Sequence, residues 1–329
     1  MAVAAPALAE GVSRTDFRVT TTDGVGIHVR EIRSTEEPNG VEPLILVHGA
    51  RVPGLASFDL DVPGGSLAAD LARQMRRTVF VMDARGYGKS DRPEAMSRPP
   101  AATKPLSRAY EVVRDIDAVV RVARERTGAR TVALLGWATG GMWAGYYASL
   151  WPENVSHLIA LNALYGGAAE HGYLSPTPPK AGYAVYDAAS LFPGWDKSIP
   201  ETDKARWRDP AIADAYVRAA LASDPLSDER TPPAFRAPLG AIEDSGYQAG
   251  GRRLFDAGSI TASLLVIRSE SDFWSRPEDA AALARDASRA QNARIVTLPG
   301  ATHFVHLERP DRGRDRLLKE IAAHLGAER

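Results

Sequence analysis

Short, uninterrupted apolar runs and longer amphipathic stretches alternate along most of the chain. The runs at 43–47, 79–82 and 131–135 are almost wholly apolar, which is typical of strands buried on both faces of a sheet. The stretches at 65–76 and 108–126 instead place apolar residues at helical spacing. The same alternation resumes toward the C-terminus. The pattern predicts an α/β protein with a mostly parallel sheet and helices on both of its faces.

The N-terminal region has a different pattern. Residues 16–33 alternate polar and apolar side chains around a turn at Asp23-Gly24, so we expect two paired strands there. Residues 1–15 are expected to form a flexible tail. The first ten, MAVAAPALAE, end like a signal-peptidase site but lack a basic start and a long apolar stretch. We therefore expect a cytoplasmic protein; the alternative is a periplasmic or secreted protein with a trimmed export signal.

Residues 165–255 interrupt the alternation. This stretch contains 10 of the 23 prolines, lacks buried strand patterns and is convincingly helical only at 211–222. It predicts a mainly helical and loop-like lid, inserted between two parts of one core at 16–164 and 256–329. The aromatic residues of the lid either line a substrate pocket or form a small core of its own. Tyr165 is predicted to contact the substrate.

The composition excludes several classes of protein. The chain of 329 residues is 44% hydrophobic and 25% charged, which is ordinary for a globular protein. Its 40 Lys and Arg nearly balance its 41 Asp and Glu, so no overall field attracts nucleic acid or an anionic membrane. It has no cysteine, which excludes thiolate catalysis and Cys-ligated metals. We expect no cofactor, no metal, and neither a nucleic-acid nor a membrane partner.

A tight turn rich in glycine follows the predicted strand at 131–135. Residues 136–140 read GWATG, and a helical stretch follows them. Small residues are needed on both sides of position 138, because side chains there would strike the neighbouring strand and helix. This is the context of a nucleophile elbow, G-x-S-x-G, in which a sharp turn lifts one side chain above the sheet.

Four further motifs accompany this elbow in a consistent order. They are Val47-His48-Gly49-Ala50, Asp83-Ala84-Arg85-Gly86-Tyr87-Gly88-Lys89-Ser90, Arg268-Ser269-Glu270-Ser271-Asp272 and Gly300-Ala301-Thr302-His303-Phe304. With the elbow, they make the sequence resemble the serine esterases of the α/β-hydrolase fold superfamily over nearly the whole chain outside the lid. The resemblance implies a nucleophile at position 138, His303 as general base and Asp272 as the acid that orients it. Glu270 is the alternative acid, and His306 is a weaker candidate for the base.

The resemblance also implies an oxyanion hole. The backbone N–H groups of Ala50 and Thr139 would stabilise the tetrahedral intermediate of acyl transfer. His48 would support the loop that carries Ala50 and would not transfer protons. Trp137, beside the nucleophile position, is predicted to contact the substrate.

Arg51 follows this loop directly and has two possible roles. A guanidinium group there could bind a substrate carboxylate through two parallel hydrogen bonds. The alternative is a structural ion pair with an acid such as Asp59 or Asp61.

Position 138 departs from the family pattern, because the methyl group of Ala138 cannot attack a carbonyl. Since the acid and base positions are retained, we expect a serine-to-alanine variant of a carboxylic ester hydrolase, inactive in this form and specific for a small-molecule ester. One alternative is a non-catalytic relative that binds a ligand. Another is cofactor-free lyase or oxygenase chemistry with His303 as the base. Amides, lactones and C–C bonds are the alternative hydrolase substrates.

Overall fold

A large sheet forms the centre of the computed structural model, which describes residues 11–36 and 42–326. The strands in these ranges are β1 (Val12–Thr20), β2 (Gly26–Ser34), β3 (Leu44–Val47), β4 (Val79–Met82), β5 (Val132–Trp137), β6 (Val155–Leu161), β7 (Tyr183–Asp187), β8 (Ala234–Pro238), β9 (Ser263–Ser269) and β10 (Ala293–Leu298). Eight of them form one sheet in the order β1-β2-β4-β3-β5-β6-β9-β10. Within this sheet, only the pairings of β1 with β2 and of β2 with β4 are antiparallel, so the predicted mostly parallel sheet is confirmed.

Helices flank this sheet, as the apolar periodicity predicts. Those in the described ranges are α1 (Gly54–Phe58), α2 (Leu67–Met75), α3 (Ala109–Thr127), α4 (Thr139–Leu150), α5 (Pro193–Ser198), α6 (Pro210–Leu221), α7 (Gly240–Ala249), α8 (Pro277–Asp286) and α9 (Arg314–His324). The long helix α3 begins where the Glu111 carboxylate accepts the Arg108 N–H at 2.9 Å, and it ends at Gly128, whose φ is 71°. Within the described ranges, no helix combines the length and apolarity needed to cross a membrane.

The central strands bring the carboxyl ends of several chain segments to one edge of the sheet. All residues of β3, β4 and β5 are buried, because their apolar side chains pack against helices on both faces. Val47 pairs with Gly136, and Trp137 pairs with Leu161. The residues that follow β3, β5 and β6 therefore lie side by side, and ligands of open parallel sheets bind at this edge.

The first strand begins earlier than the sequence pattern predicts. Residues 12–15, expected in the flexible tail, belong to β1 and pair with residues 31–34 of β2. The prediction was wrong there because this edge strand is largely solvent-exposed and polar, so it lacks the apolar alternation that marks a strand. The rest of the predicted tail at 1–10, with the proposed export signal, lies outside the described residues.

Residues 165–255 contain more regular structure than predicted. β7 and β8 form a separate antiparallel pair, and α5 and α7 accompany the expected helix α6. The strands escaped prediction because they are five residues long and their partners lie far apart in the sequence. Helix α7 escaped because Gly240, Ser245 and Gly246 weaken its helical pattern. The division of the chain into core and lid at 165 and 255 stays a prediction.

Candidate active site

The turn after β5 holds Ala138 in a conformation that favours glycine, with φ 52° and ψ −120°. Its N–H donates to the carbonyl oxygen of Leu161 at 2.8 Å, which joins the turn to the end of β6. A Cβ atom on Gly140 would lie 2.2 Å from the carbonyl oxygen of Val47. The fold therefore forms the predicted elbow geometry around a methyl group, and the elbow requires glycine where it approaches β3.

His303 and Asp272 form a close, buried pair. The Nδ1 atom of His303 lies 2.7 Å from Asp272 Oδ1. Asp272 also accepts the backbone N–H groups of Trp274 and Ser275, both at 2.9 Å, and the Ser275 hydroxyl. Because an ionised carboxylate only accepts hydrogen bonds, Nδ1 carries the proton and Nε2 is left to accept one.

The ionised state of Asp272 follows from its partners. Burial acts to raise the pKa of this carboxyl, but the charge of His303 and the hydrogen bonds from His303, Ser275 and Trp274 outweigh burial. The pKa of Asp272 is therefore below its ordinary value. A carboxylate in this position fixes the histidine tautomer that a general base requires.

Two side chains form hydrogen bonds with the backbone of His303. Its carbonyl oxygen accepts Trp137 Nε1–H at 3.0 Å and an Asn162 Nδ2–H at 3.1 Å. Asn162 is itself fixed, since its side-chain oxygen accepts the Ser269 N–H at 2.7 Å. This role of Asn162 was not predicted from the sequence; its position directly after β6, beside the elbow strand, was the available signal.

A cavity opens above the elbow at the predicted edge of the sheet. It is lined by Gly49, Ala50, Arg51, Val52, Trp137, Ala138, Tyr173, Tyr216, Ile242, Phe273, Trp274, His303 and Phe304. It brings together Ala138, His303, Ala50, Arg51 and Trp137 from the predicted set. Three of its lining residues belong to the 165–255 segment, and most of the others are apolar or aromatic, so a bound substrate would be largely removed from water.

The predicted oxyanion donors belong to two segments of the chain, the loop after β3 and the start of α4. Ala50 lines the cavity, whereas Thr139 is buried at the first position of α4. Neither backbone N–H has a hydrogen-bond partner within the described chain. The first N–H groups of a helix have no partner within it, so that of Thr139 can bind an anion.

His48 joins the Ala50 loop to the loop after β4. Its Nε2 accepts the Ala84 N–H at 3.0 Å, so Nδ1 is protonated and donates to the carbonyl oxygen of Gly49 at 2.7 Å. Tyr87 donates its hydroxyl hydrogen to the Ala50 carbonyl oxygen at 2.8 Å. Burial lowers the pKa of the His48 ring. These contacts occupy both nitrogens of a neutral ring, which fits the predicted supporting role.

Tyr165, predicted to contact the substrate, does not line the cavity. Its backbone N–H donates to Asp279 at 3.0 Å, and its ring packs against Phe255 with a centroid distance of 5.2 Å. Its hydroxyl oxygen accepts the Ala257 N–H at 3.3 Å. The prediction for Tyr165 was wrong for this cavity, because these contacts hold the side chain against Phe255 and Ala257, which do not line it.

The two alternative catalytic candidates are engaged elsewhere. Glu270 is exposed and accepts the Gly300 N–H at 2.7 Å, so it fixes the loop before His303 and does not contact the imidazole. His306 is fully buried, and its ring packs on Trp137 with a centroid distance of 4.5 Å. Burial, with the nearby charges of His303 and Arg314, holds the pKa of His306 well below its ordinary value.

The chain belongs to the α/β hydrolase fold family, whose family model matches residues 42–310. Among curated proteins it is similar to the (lyso)-N-acylphosphatidylethanolamine lipase of Mus musculus, with 33% identity over 36% of this chain and 30% of the lipase. The chain thus matches less than a third of the length of this relative. The fold is similar to an esterase from Exiguobacterium antarcticum (TM-score 0.61, 18% identity, covering 95% of this chain and 100% of the esterase). It is also similar to a meta-cleavage product hydrolase from Pseudomonas fluorescens (TM-score 0.60, 16% identity, covering 95% and 98%).

Proposed function

We propose that this active site is that of a carboxylic ester hydrolase acting on small-molecule esters, with position 138 as the nucleophile position. His303 is the general base and Asp272 the acid that orients it. The observation that carries this proposal is the 2.7 Å contact of His303 with Asp272, together with the presence of His303 in the same cavity as the hydroxyl-free elbow at Ala138. This chain cannot carry out the acylation step, because no atom at position 138 can attack the ester.

A serine hydroxyl at position 138 would complete the reaction. Its oxygen would bond to the ester carbonyl carbon while its proton passes to Nε2 of His303. The carbonyl oxygen would take the negative charge and accept hydrogen bonds from the backbone N–H groups of Ala50 and Thr139. His303 would then protonate the departing alcohol as the ester C–O bond breaks, and water activated by the same imidazole would release the acid.

The substitution Ala138→Ser tests this proposal with a panel of chromogenic esters. Removal of a triad serine costs about 10⁶-fold in kcat, so we expect a contrast between the two forms on that order. Brief exposure to a slowly deacylating ester should also add the mass of one acyl group at position 138. The matched control A138S/H303Q should lose nearly all of the gain. A serine form as inert as this chain, with no acyl adduct, would refute the hydrolase proposal.

A second candidate is favoured by the intact His303–Asp272 pair beside an elbow that has no nucleophile at position 138. In this candidate His303 acts alone as a base on an acidic C–H or O–H group of the substrate, without a covalent intermediate. This candidate requires that the Ala138 chain itself turns over substrate and that the H303Q variant does not. A cavity that only binds its ligand would instead leave both the Ala138 and the A138S chains without turnover.

A further inference from the structure

Arg51 places a positive charge beside the cavity that contains the elbow. It follows Ala50, lines the cavity together with Ala138 and His303, and is half-buried. Its side chain is held in place, because Nη1–H donates to the carbonyl oxygen of Ser190 at 3.0 Å. The guanidinium also lies over the ring of Tyr186, 5.4 Å from its centroid.

The guanidinium of Arg51 has no carboxylate partner in the described part of the chain. Asp59, the expected structural partner, pairs instead with Arg14 at 2.9 Å and Arg30 at 3.1 Å. Asp61 is exposed and forms no ion pair with any described residue. Among the described residues, one N–H of Arg51 donates to an uncharged oxygen, and no hydrogen bond engages the other four.

The surroundings of Arg51 strengthen its attraction for an anion. None of the other residues lining the cavity is Asp, Glu, Lys or Arg, and most are aromatic or aliphatic. Apolar walls lower the effective dielectric constant, so a cation there interacts strongly with a bound anion. Other buried arginines of the fold carry their own counter-charges, as Arg85 does with Asp115 at 2.7 Å and Arg236 with Asp224 at 2.8 Å.

Tyr216 supplies a second polar group to the same cavity. Its hydroxyl has no hydrogen-bond partner in the described structure, although the side chain is almost fully buried. Burial raises the pKa of this phenol, against the opposing effect of the Arg51 charge. The hydroxyl therefore stays protonated and can donate to an anion.

We infer that the substrate is an acidic ester, which carries a carboxylate in addition to the ester group, and that Arg51 binds this carboxylate with Tyr216 as a second donor. The inference rests on the proposed ester hydrolase function, which it narrows to a substrate class. Arg51 sets specificity and takes no part in bond making or breaking.

Matched pairs of esters test the inference in the A138S background. The acidic members are the mono-4-nitrophenyl esters of glutarate and adipate, and the neutral members are 4-nitrophenyl pentanoate and hexanoate. We expect R51Q to lower kcat/KM for the acidic esters by roughly 10- to 100-fold, the range for a lost charged hydrogen bond, and for the neutral esters less than 3-fold. The control R130Q removes an exposed arginine and should change neither.

Equal losses on acidic and neutral esters, or no loss on either, would overturn the inference and make Arg51 a structural residue. Thermal unfolding of R51Q checks that it folds. Should it not fold, R51K repeats the comparison, because lysine keeps the charge but lacks the planar fork. A smaller loss confined to the acidic esters would then support the carboxylate site, and a uniform loss would overturn it.

A binding measurement separates this inference from the hydrolase proposal. Calorimetric titration of the Ala138 chain with monomethyl glutarate requires no turnover, and R51Q should weaken binding roughly 10-fold or more. If A138S hydrolyses no ester while this Arg51-dependent binding persists, the hydrolase proposal fails and the carboxylate site stands. Absence of binding, or equal binding by the Ala138 chain and R51Q, would overturn the carboxylate site.

Discussion

Ala138 occupies a region of backbone space that costs a residue with a Cβ atom about 1–3 kcal/mol. The surrounding contacts impose this conformation, because the N–H of Ala138 is bonded to β6 and the turn packs against β3 through Gly140. The methyl group of Ala138 therefore sits on a strained backbone. The strain is a property of the fold at this one residue and does not depend on a catalytic hydroxyl.

Replacement of Ala138 by glycine should release this strain. We expect A138G to raise the free energy of unfolding by about 1 kcal/mol, after allowance for the extra freedom of glycine in the unfolded chain. Urea unfolding followed by circular dichroism measures the change. The control A144G, in the interior of α4, should lower it by about 1 kcal/mol. Destabilisation of both variants to the same extent would show that Ala138 is not strained.

At the level of elements, one buried carboxyl joins helix α5 to the loop that carries His303. Glu308 accepts Trp195 Nε1–H at 3.0 Å and the hydroxyl of Thr302, the residue before His303. Burial raises the pKa of Glu308 to about 7, although the hydrogen bonds from Thr302 and Trp195 and the charge of Arg208 oppose this. The native state therefore prefers the protonated carboxyl up to nearly neutral pH.

This preference predicts a pH-dependent stability. Because the pKa of Glu308 is higher in the folded than in the unfolded chain, the native state holds the extra proton, and stability falls as pH rises from about 4.5 through about 7. E308Q imitates the protonated carboxyl and should lack this fall. The comparison is the free energy of unfolding of E308Q minus that of the parent. We expect this difference to be about 3 kcal/mol larger at pH 8 than at pH 4.5.

Denaturant unfolding of both chains across this pH range makes the measurement. The control E125Q alters an exposed helical glutamate and should leave the pH profile parallel to that of the parent. Parallel profiles for E308Q and the parent would contradict the buried, protonated state of Glu308.

At the scale of the whole molecule, the 165–255 segment shares its packing with the sheet domain. Trp195, Tyr216 and Phe235 belong to the same continuous apolar core as the central strands. Asp244, in α7, also accepts a side-chain N–H of Arg108 at 2.6 Å and the backbone N–H at the start of α3 at 2.7 Å. The segment is therefore held to the sheet domain by apolar packing and by charged hydrogen bonds.

This shared packing predicts that the segment and the sheet domain unfold together. Hydrogen exchange measured by mass spectrometry across a urea series should give one midpoint for peptides from 165–255 and for peptides from β5 and β6. Coincidence of the far-ultraviolet and near-ultraviolet circular dichroism transitions provides an independent check. An earlier midpoint for the 165–255 peptides would identify the segment as a separate unit.

The sequence predicted those features that depend on local pattern. The central strands were predictable because runs such as 79–82 are wholly apolar, whereas Asp272 and His303 were proposed as site residues from the resemblance to the α/β-hydrolase family. The direction of a side chain depends on distant partners, which explains the wrong prediction for Tyr165 and the missed role of Asn162. The pairing of β7 with β8 was invisible for the same reason, since each strand is short and its partner lies about 50 residues away.

The complete elbow around Ala138 has a genetic consequence. Every alanine codon becomes a serine codon by one base change in its first position, and the added side-chain atom is a single oxygen. Random mutagenesis of this gene therefore yields the serine form among its simplest products. Under the proposed hydrolase function, cells that depend on cleavage of an ester for growth would select this serine form directly.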